Sequence, residues 1–245
     1  MATQSAPLPR PALRAPRSYF STSVGTKVLV GATGLLLFFY LILHLAGNLL
    51  LFLGPETFNG YSHLLISNPL VIPVEIGLAA IFLVHAFKAL TNFLANRRAR
   101  PVGYHKYTWT RGGSRKSVAS TTMILSGLVV FVFVLVHLYQ FKYGPEYLVA
   151  QAEPAGAGAE IRDLYRLEVE VFSNVLNVVF YLFCMAVVGG HLWHGIASAF
   201  ESLGASHPRY TPWVFGIGKV LAFLLAMGFA VIPAFVYLFL RPASG

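Results

Sequence analysis

Charged side chains and cysteines are scarce in this chain. Asp, Glu, Lys and Arg make up 11% of its 245 residues, whereas a soluble domain of this length carries about a quarter. Cys184 is the only cysteine, which excludes a disulfide framework and a cysteine-ligated metal cluster. The composition therefore excludes most soluble enzymes and small disulfide-stapled domains.

Apolar residues take the place of the missing charge, at 56% of the chain, and most of them lie in five long runs. A run of roughly 20 apolar residues is long enough to cross a bilayer. Because backbone groups must be satisfied inside the membrane, unbroken runs of this kind predict helices. The predicted spans cover residues 24–53, 71–96, 118–141, 171–200 and 212–240. The sequence thus predicts an all-α membrane protein with five transmembrane helices.

Residues 1–23 differ in composition from the rest and predict a separate segment. They are rich in Pro, Ser and Ala and carry Arg10, Arg14 and Arg17. A cleavable signal peptide is the competing interpretation, but the apolar run that follows is too long for one and contains His44. We therefore expect a flexible cytoplasmic tail over 1–23 and a membrane domain over 24–245.

Basic and acidic residues fall in different loops, which predicts the orientation of the spans. Seven basic residues follow the second span: Arg97, Arg98, Arg100, Lys106, Arg111, Arg115 and Lys116. The loop after the third span is acidic. By the positive-inside rule the N-terminus is cytoplasmic and the C-terminus outside, in the inner (cytoplasmic) membrane. The net charge of +9 is explained by this sidedness, and nucleic acid is not an expected partner.

Four histidines, His44, His85, His137 and His191, lie in four different spans. An ionisable residue inside a membrane is expensive to bury, so it predicts function rather than packing. Four histidines on four helices can form two imidazole pairs, which two six-coordinate b-type hemes require. A Cys-x-x-Cys-His motif is absent from the sequence, so the hemes would be held non-covalently. We expect four helices bundled around two hemes b, with the fifth packing outside.

Depth in the membrane indicates how these histidines pair. A helix rises about 1.5 Å per residue, so His44, ten residues before Gly54, lies in the outer half, as does His137, five residues before Lys142. His191 lies in the inner half and His85 near the middle. His44 therefore pairs with His137 around the outer heme, and His85 is left for His191 around the inner heme.

Two further ionisable residues are candidate site residues. His194 lies three residues after His191, so both face similar directions and only one is needed as a ligand; the other would contact a propionate or a quinone. Gly195, four residues beyond His191, would give a porphyrin flat space on that face. Glu75, at the outer end of the second span, is either a quinone or proton site or an interfacial carboxylate.

Four segments together resemble a known family. They are Leu43-His44-Leu45-Ala46-Gly47-Asn48, Val74-Glu75-Ile76-Gly77, Asn96-Arg97-Arg98-Ala99-Arg100-Pro101-Val102-Gly103-Tyr104 and His191-Leu192-Trp193-His194-Gly195-Ile196-Ala197-Ser198-Ala199-Phe200. In combination they are similar to the cytochrome b558 membrane-anchor subunit of succinate dehydrogenase and fumarate reductase. The resemblance runs from the first span to the fifth.

The resemblance implies a five-helix subunit with two hemes b. Its ligands match His44 and His137 for the distal heme and His85 and His191 for the proximal heme, which leaves His194 as a neighbour. It also implies a flavoprotein and an iron–sulfur subunit as cytoplasmic partners and electron exchange with a quinone, usually menaquinone. Some relatives carry Arg near residues 120–123, and this chain has none there.

The sequence thus predicts an electron-transfer subunit of complex II that is not itself catalytic, since succinate or fumarate turnover belongs to the partners. A b-type subunit of another quinone-linked oxidoreductase, such as a hydrogenase or formate dehydrogenase, is the main alternative. A heme-free transporter or structural bundle is the third.

Overall fold

The structure is a computed structural model and describes residues 22–99, 122–150, 160–205 and 207–241. Its helices are α1 (Ser23–Asn48), α2 (Pro55–Ile66), α3 (Val71–Arg98), α4 (Met123–Phe141), α5 (Leu164–Ser173), α6 (Val175–Ser202) and α7 (Thr211–Phe235). A 3-10 segment, Leu49–Leu53, extends α1, and a π-helical turn, Val236–Leu240, extends α7. Strands β1 (Leu148–Ala150) and β2 (Glu160–Arg162) form an antiparallel hairpin.

Five of these helices, α1, α3, α4, α6 and α7, are long and apolar enough to cross a membrane. The prediction of an all-α membrane protein with five spans is therefore confirmed. Residues 1–21 of the tail that was predicted over 1–23, the start of the third span at 118 and most of the basic loop lie outside the described residues. Arg97 and Arg98 are described and form the last turn of α3.

Two features of the described fold depart from the sequence prediction in a way that shapes the bundle. Residues 55–66 were expected to be a loop, but they form α2, which begins directly after Gly54 with Pro55 in its first turn. Gly54 has a φ of 98°, a conformation that glycine adopts without strain and that separates α2 from the preceding span. The fourth span begins at Val175 rather than 171, because extended Asn174 breaks the helix and its side chain caps the Leu176 N–H at 2.8 Å.

Helix α6 is the central element of the bundle, since it packs against α7, α1 and α4, while α3 packs mainly against α1. Small residues allow the closest approach. A Cβ atom on Gly31 of α1 would lie 3.2 Å from the Ala199 carbonyl oxygen of α6, so the two helices meet backbone to backbone. We call the end of the bundle where α1 begins the inner end, and the opposite end the outer end.

Short elements cover the outer end of the bundle. The hairpin, α2 and α5 pack together there, and the amide of Asn59 in α2 links them. Its nitrogen donates to Asp163 Oδ1 at 2.8 Å, and its oxygen accepts from the Tyr165 backbone N–H at 2.9 Å. Asp163 also caps α5 by accepting from the Arg166 N–H. Beneath this outer cap, Leu51, Phe58, Phe172, Tyr181 and Val236 form a buried apolar cluster.

The outer cap contains one buried carboxyl group, Glu168 of α5, which is 5% exposed. Burial raises its pKa from 4.5 to about 8, because a low-dielectric environment disfavours the charged form. The folded protein therefore keeps a proton that the unfolded chain releases between about pH 4.5 and 8. The contribution of Glu168 to the free energy of unfolding is therefore fully present below about pH 4.5, and it is lost as the pH rises from there to about 8.

Glu168→Gln is expected to raise the melting temperature at pH 8 by about 2 °C or more, since the amide does not ionise. The variant and the wild type should converge near pH 5. Thermal melts across this pH range measure the effect, and Glu170→Gln, which changes an exposed neighbour on the same helix, is the matched control. An identical pH dependence in the wild type and Glu168→Gln would contradict the burial argument.

Candidate functional site

The structure brings His44 of α1 and His137 of α4 together near the outer end. Their ring centroids are 5.9 Å apart and the ring planes are nearly perpendicular, at 85°. Aromatic side chains surround this outer pair: Tyr40 stacks on His44 with centroids 5.4 Å apart, and Phe133 lies 5.7 Å from His137. The two histidines were expected at one depth, and the structure has them face each other across the bundle.

His85 of α3 and His191 of α6 form the inner pair. They are close enough for their charges to interact. Each ring lies beside a glycine of a neighbouring helix: a Cβ on Gly34 of α1 would be 3.1 Å from His85 Cε1, and a Cβ on Gly127 of α4 would be 3.5 Å from His191 Cε1. Helices α1, α3, α4 and α6 thus position both pairs, and α7 contributes no histidine.

The Nδ1 atom of each ring in these pairs has a polar neighbour. For His85 these are the Val30 carbonyl oxygen at 3.1 Å and Thr33 Oγ1 at 3.2 Å. For His191 it is Ser126 Oγ at 3.0 Å. For His137 it is the Tyr181 hydroxyl at 3.5 Å, and for His44 it is Asn48 Nδ2 at 3.4 Å. The four Nε2 atoms make no hydrogen bond to a described residue.

The hydrogen-bond partner of Nδ1, a hydroxyl or a carbonyl oxygen, indicates which nitrogen carries the proton in three rings. The Ser126 hydroxyl donates to the Met123 carbonyl oxygen, so it accepts from His191 Nδ1. The Tyr181 hydroxyl donates to Gln140 Oε1 at 2.7 Å, so it accepts from His137 Nδ1. The Val30 carbonyl can only accept, so His85 Nδ1 donates to it. These three rings therefore present an unprotonated Nε2, which is the form that binds a metal.

His44 differs from the other three, because its Nδ1 faces an amide nitrogen. Asn48 Nδ2 already donates to the His44 carbonyl oxygen at 2.7 Å, and its contact with the ring nitrogen is longer, at 3.4 Å. An amide nitrogen is a donor, so this contact does not define the same tautomer. Asn48 contacts the His44 ring from one turn farther along the same helix, whereas the partners of the other three rings lie on neighbouring helices.

The paired arrangement suits axial ligation rather than a metal site made only of side chains. Among the described residues, no three His, Cys, Asp or Glu side chains converge on one point to hold a metal ion. A structural or catalytic zinc site needs three or four such ligands. A heme supplies four nitrogens itself and takes its axial ligands from the protein. The inner pair offers two imidazoles whose Nδ1 atoms donate to an acceptor, and the outer pair offers one such ring, His137, facing His44.

His194 lies three residues beyond His191 on α6 and has a different charged neighbour. It is half-buried and close enough to Lys219 of α7 for their charges to interact. Lys219 also lies 5.3 Å from the centre of the neighbouring Trp193 ring. The two histidines thus have different neighbours: Ser126 of α4 lies beside His191, and Lys219 of α7 acts electrostatically on His194.

Glu75 of α3 forms an ion pair with Lys142 at the C-terminal end of α4, with 2.5 Å between Oε1 and Nζ. Both side chains remain more than two-fifths exposed. Glu75 also acts electrostatically on Tyr40, which stacks on His44. The carboxylate thus belongs to a polar group beside the outer pair.

Sequence reasoning missed the residues that orient the rings. Thr33 and His85 are 52 positions apart, and Ser126 and His191 are 65 apart, so no local pattern connects them. Tyr181 and Gln140 were not singled out either. Asn48 ends the Leu43–Asn48 segment, and its spacing of four residues from His44 was the one available signal. Asn177 Oδ1 accepts from Gln140 Nε2 at 3.3 Å.

Comparison of the chain with protein-family models, with curated proteins and with solved structures finds no match.

Proposed function

We propose that this protein is a di-heme cytochrome b membrane anchor of a succinate dehydrogenase or fumarate reductase, carrying electrons between an iron–sulfur subunit and a quinone. The observation that supports it most directly is the two imidazole pairs, each at its own depth between the same four helices. The resemblance of the segments around His44, Glu75, Arg97 and His191 to the cytochrome b558 family supplies the partners.

The chain's own residues hold and tune the cofactors. His44 and His137 would ligate the outer heme, and His85 and His191 the inner heme, while the heme groups supply one-electron chemistry. Val30, Ser126 and Tyr181 fix three of the ligand rings. If both imidazoles of each pair bound the iron, no coordination position would stay open, so the arrangement would favour electron transfer over oxygen chemistry.

The inner end of the bundle is assigned to the cytoplasm in this proposal. Arg97 and Arg98 end α3 there, and the basic residues up to Lys116 follow in the sequence, which is the distribution expected on the cytoplasmic side. The inner pair then lies nearer the iron–sulfur partner and the outer pair nearer the opposite surface. Glu75, Lys142 and Tyr40 would contact a quinone beside the outer pair, and His194 would be a neighbour of the inner heme.

Sidedness is tested by a cysteine introduced at position 113 in the basic loop, outside the described residues. In a chain whose Cys184 is replaced by Ala, Gly113→Cys is expected to react with an impermeant maleimide only from the cytoplasmic side, in cells without the partner subunits. The control is a cysteine at Glu146, beyond α4, which should react only from outside. Reversed labelling would exchange the two heme positions.

Gly34 tests the packing around the inner pair. In Gly34→Val the added side chain would contact the His85 ring, because even a Cβ there lies 3.1 Å from Cε1. We expect inner-heme content to fall to less than about half, as overpacking forces a side chain out of place. Gly77→Val on α3 is the matched control, since its Cβ meets no atom within 4 Å. Equal heme contents in the two variants would contradict the placement of His85.

A further inference from the structure

A cavity of about 390 Å³ opens at the inner end of the bundle, between α1, α3 and α6. Its lining residues are Lys27, Val30, Asn92, Ser198, Glu201 and Ser202. This is well above the volume of a single water and falls within the range of small-molecule sites.

The cavity adjoins the inner histidine pair. Val30, which lines it, is the residue whose carbonyl oxygen accepts from His85 Nδ1 at 3.1 Å. Lys27 lies three residues before Val30 on α1, about 4.5 Å farther toward the inner end. The cavity therefore runs from the level of the His85 ring to the inner surface of the bundle.

The lining side chains suit an anionic oxygen group. Lys27 supplies a cation, and Asn92 and Ser198 supply neutral donors. Glu201, three residues beyond Ser198 on α6, adds a single carboxylate at the same mouth. A heme carries two propionates, and a charged carboxylate is costly to leave in hydrocarbon. Among the described residues, this cavity brings a cation and neutral donors to the inner end beside Val30, the partner of His85.

We propose that Lys27, Asn92 and Ser198 bind the propionate carboxylates of the inner heme, and that Glu201 opposes Lys27 in setting that heme's redox potential. This inference rests on the proposed di-heme function.

The two charges have opposite effects on the heme. Reduction adds an electron, so a nearby cation stabilises the reduced form and a nearby carboxylate destabilises it. Lys27→Met is therefore expected to lower the midpoint potential of the inner heme, and Glu201→Gln to raise it. We expect each change to shift the redox equilibrium constant by about threefold or more.

Potentiometric titration of the purified complex, followed by the heme absorption bands, measures both shifts. Arg209→Gln is the control, because it removes an exposed positive charge at the same end but outside the cavity. The inner heme should keep its potential in this control, and the outer heme in all three variants. Two hemes in every variant with no shift in Lys27→Met would overturn this inference and leave the di-heme function standing. A wild-type complex without heme would overturn the function itself.

Direct binding is tested by redox-difference infrared spectra of complex containing heme with ¹³C-labelled propionates. The labelled carboxylate bands are expected to move in Lys27→Met and to stay in place in Arg209→Gln. A potential shift in Lys27→Met with unmoved labelled bands would mean that Lys27 acts on the heme through its charge without binding a propionate, and the propionate assignment would be wrong.

Discussion

His137→Ala is expected to remove the outer heme and leave the inner one, so the complex would contain one heme per chain in place of two. The imidazole of His137 faces His44 across 5.9 Å between ring centroids, and no other described histidine lies at that pair. Without one axial ligand, a non-covalently held heme loses the bond that places it. His44→Ala should have the same effect, and heme quantification with low-temperature spectra measures both.

The matched control is His207→Ala. His207 is exposed and lies just before α7 at the inner end, so this variant should keep both hemes. Full heme retention in both His44→Ala and His137→Ala would contradict the outer assignment. Loss of the inner band with the outer band intact would mean that the depths of the two pairs are reversed.

His191→Ala is expected to abolish the inner heme, whereas His194→Ala should keep it with an altered potential or altered quinone kinetics. The Ser126 hydroxyl accepts from His191 Nδ1 at 3.0 Å, which leaves Nε2 for a metal. His194 is near Lys219 instead. The two histidines lie on the same helix at a similar depth. A difference in heme content between the two variants therefore reports which of the two side chains points toward the heme. Heme content of assembled complexes is the measurement.

Retention of the inner heme in His191→Ala together with its loss in His194→Ala would move the ligand by one turn of α6. Ser126→Ala provides a further check, since it removes only the partner of the second nitrogen. Such partners typically change affinity about 10–100-fold rather than abolishing binding. Ser126→Ala should therefore weaken retention of the inner heme and change its potential without eliminating the band.

The spans could be predicted from sequence because a membrane helix needs a minimum length of apolar residues. Spacing along such a helix also converts directly into depth, which is why His44 could be paired with His137 from their positions in the chain. Short elements carry no comparable signal. Helix α2 has only 12 residues and the two strands have three each, so the outer cap was expected to be loop.

The site could be predicted only as far as single side chains reveal their chemistry. An ionisable residue can be recognised in an apolar run of sequence, and the four histidines were found in this way. Their hydrogen-bond partners cannot be recognised so, because serine, threonine and tyrosine are common in helices. Their role depends on a neighbour from another helix. The glycine beside the His191 ring is Gly127 of α4, which packing across two helices places there. A Cβ on Gly195 would meet no atom within 4 Å, so its role beside a porphyrin stays a prediction.

The most direct test of the di-heme assignment is heme quantification of the purified chain with its partner subunits, combined with a reduced-minus-oxidised spectrum. We expect two low-spin hemes b per copy of this chain, both with bis-imidazole ligation and distinguishable by their midpoint potentials. A preparation that is folded and assembled but contains no heme would contradict the assignment, because the two histidine pairs would then have no cofactor to hold.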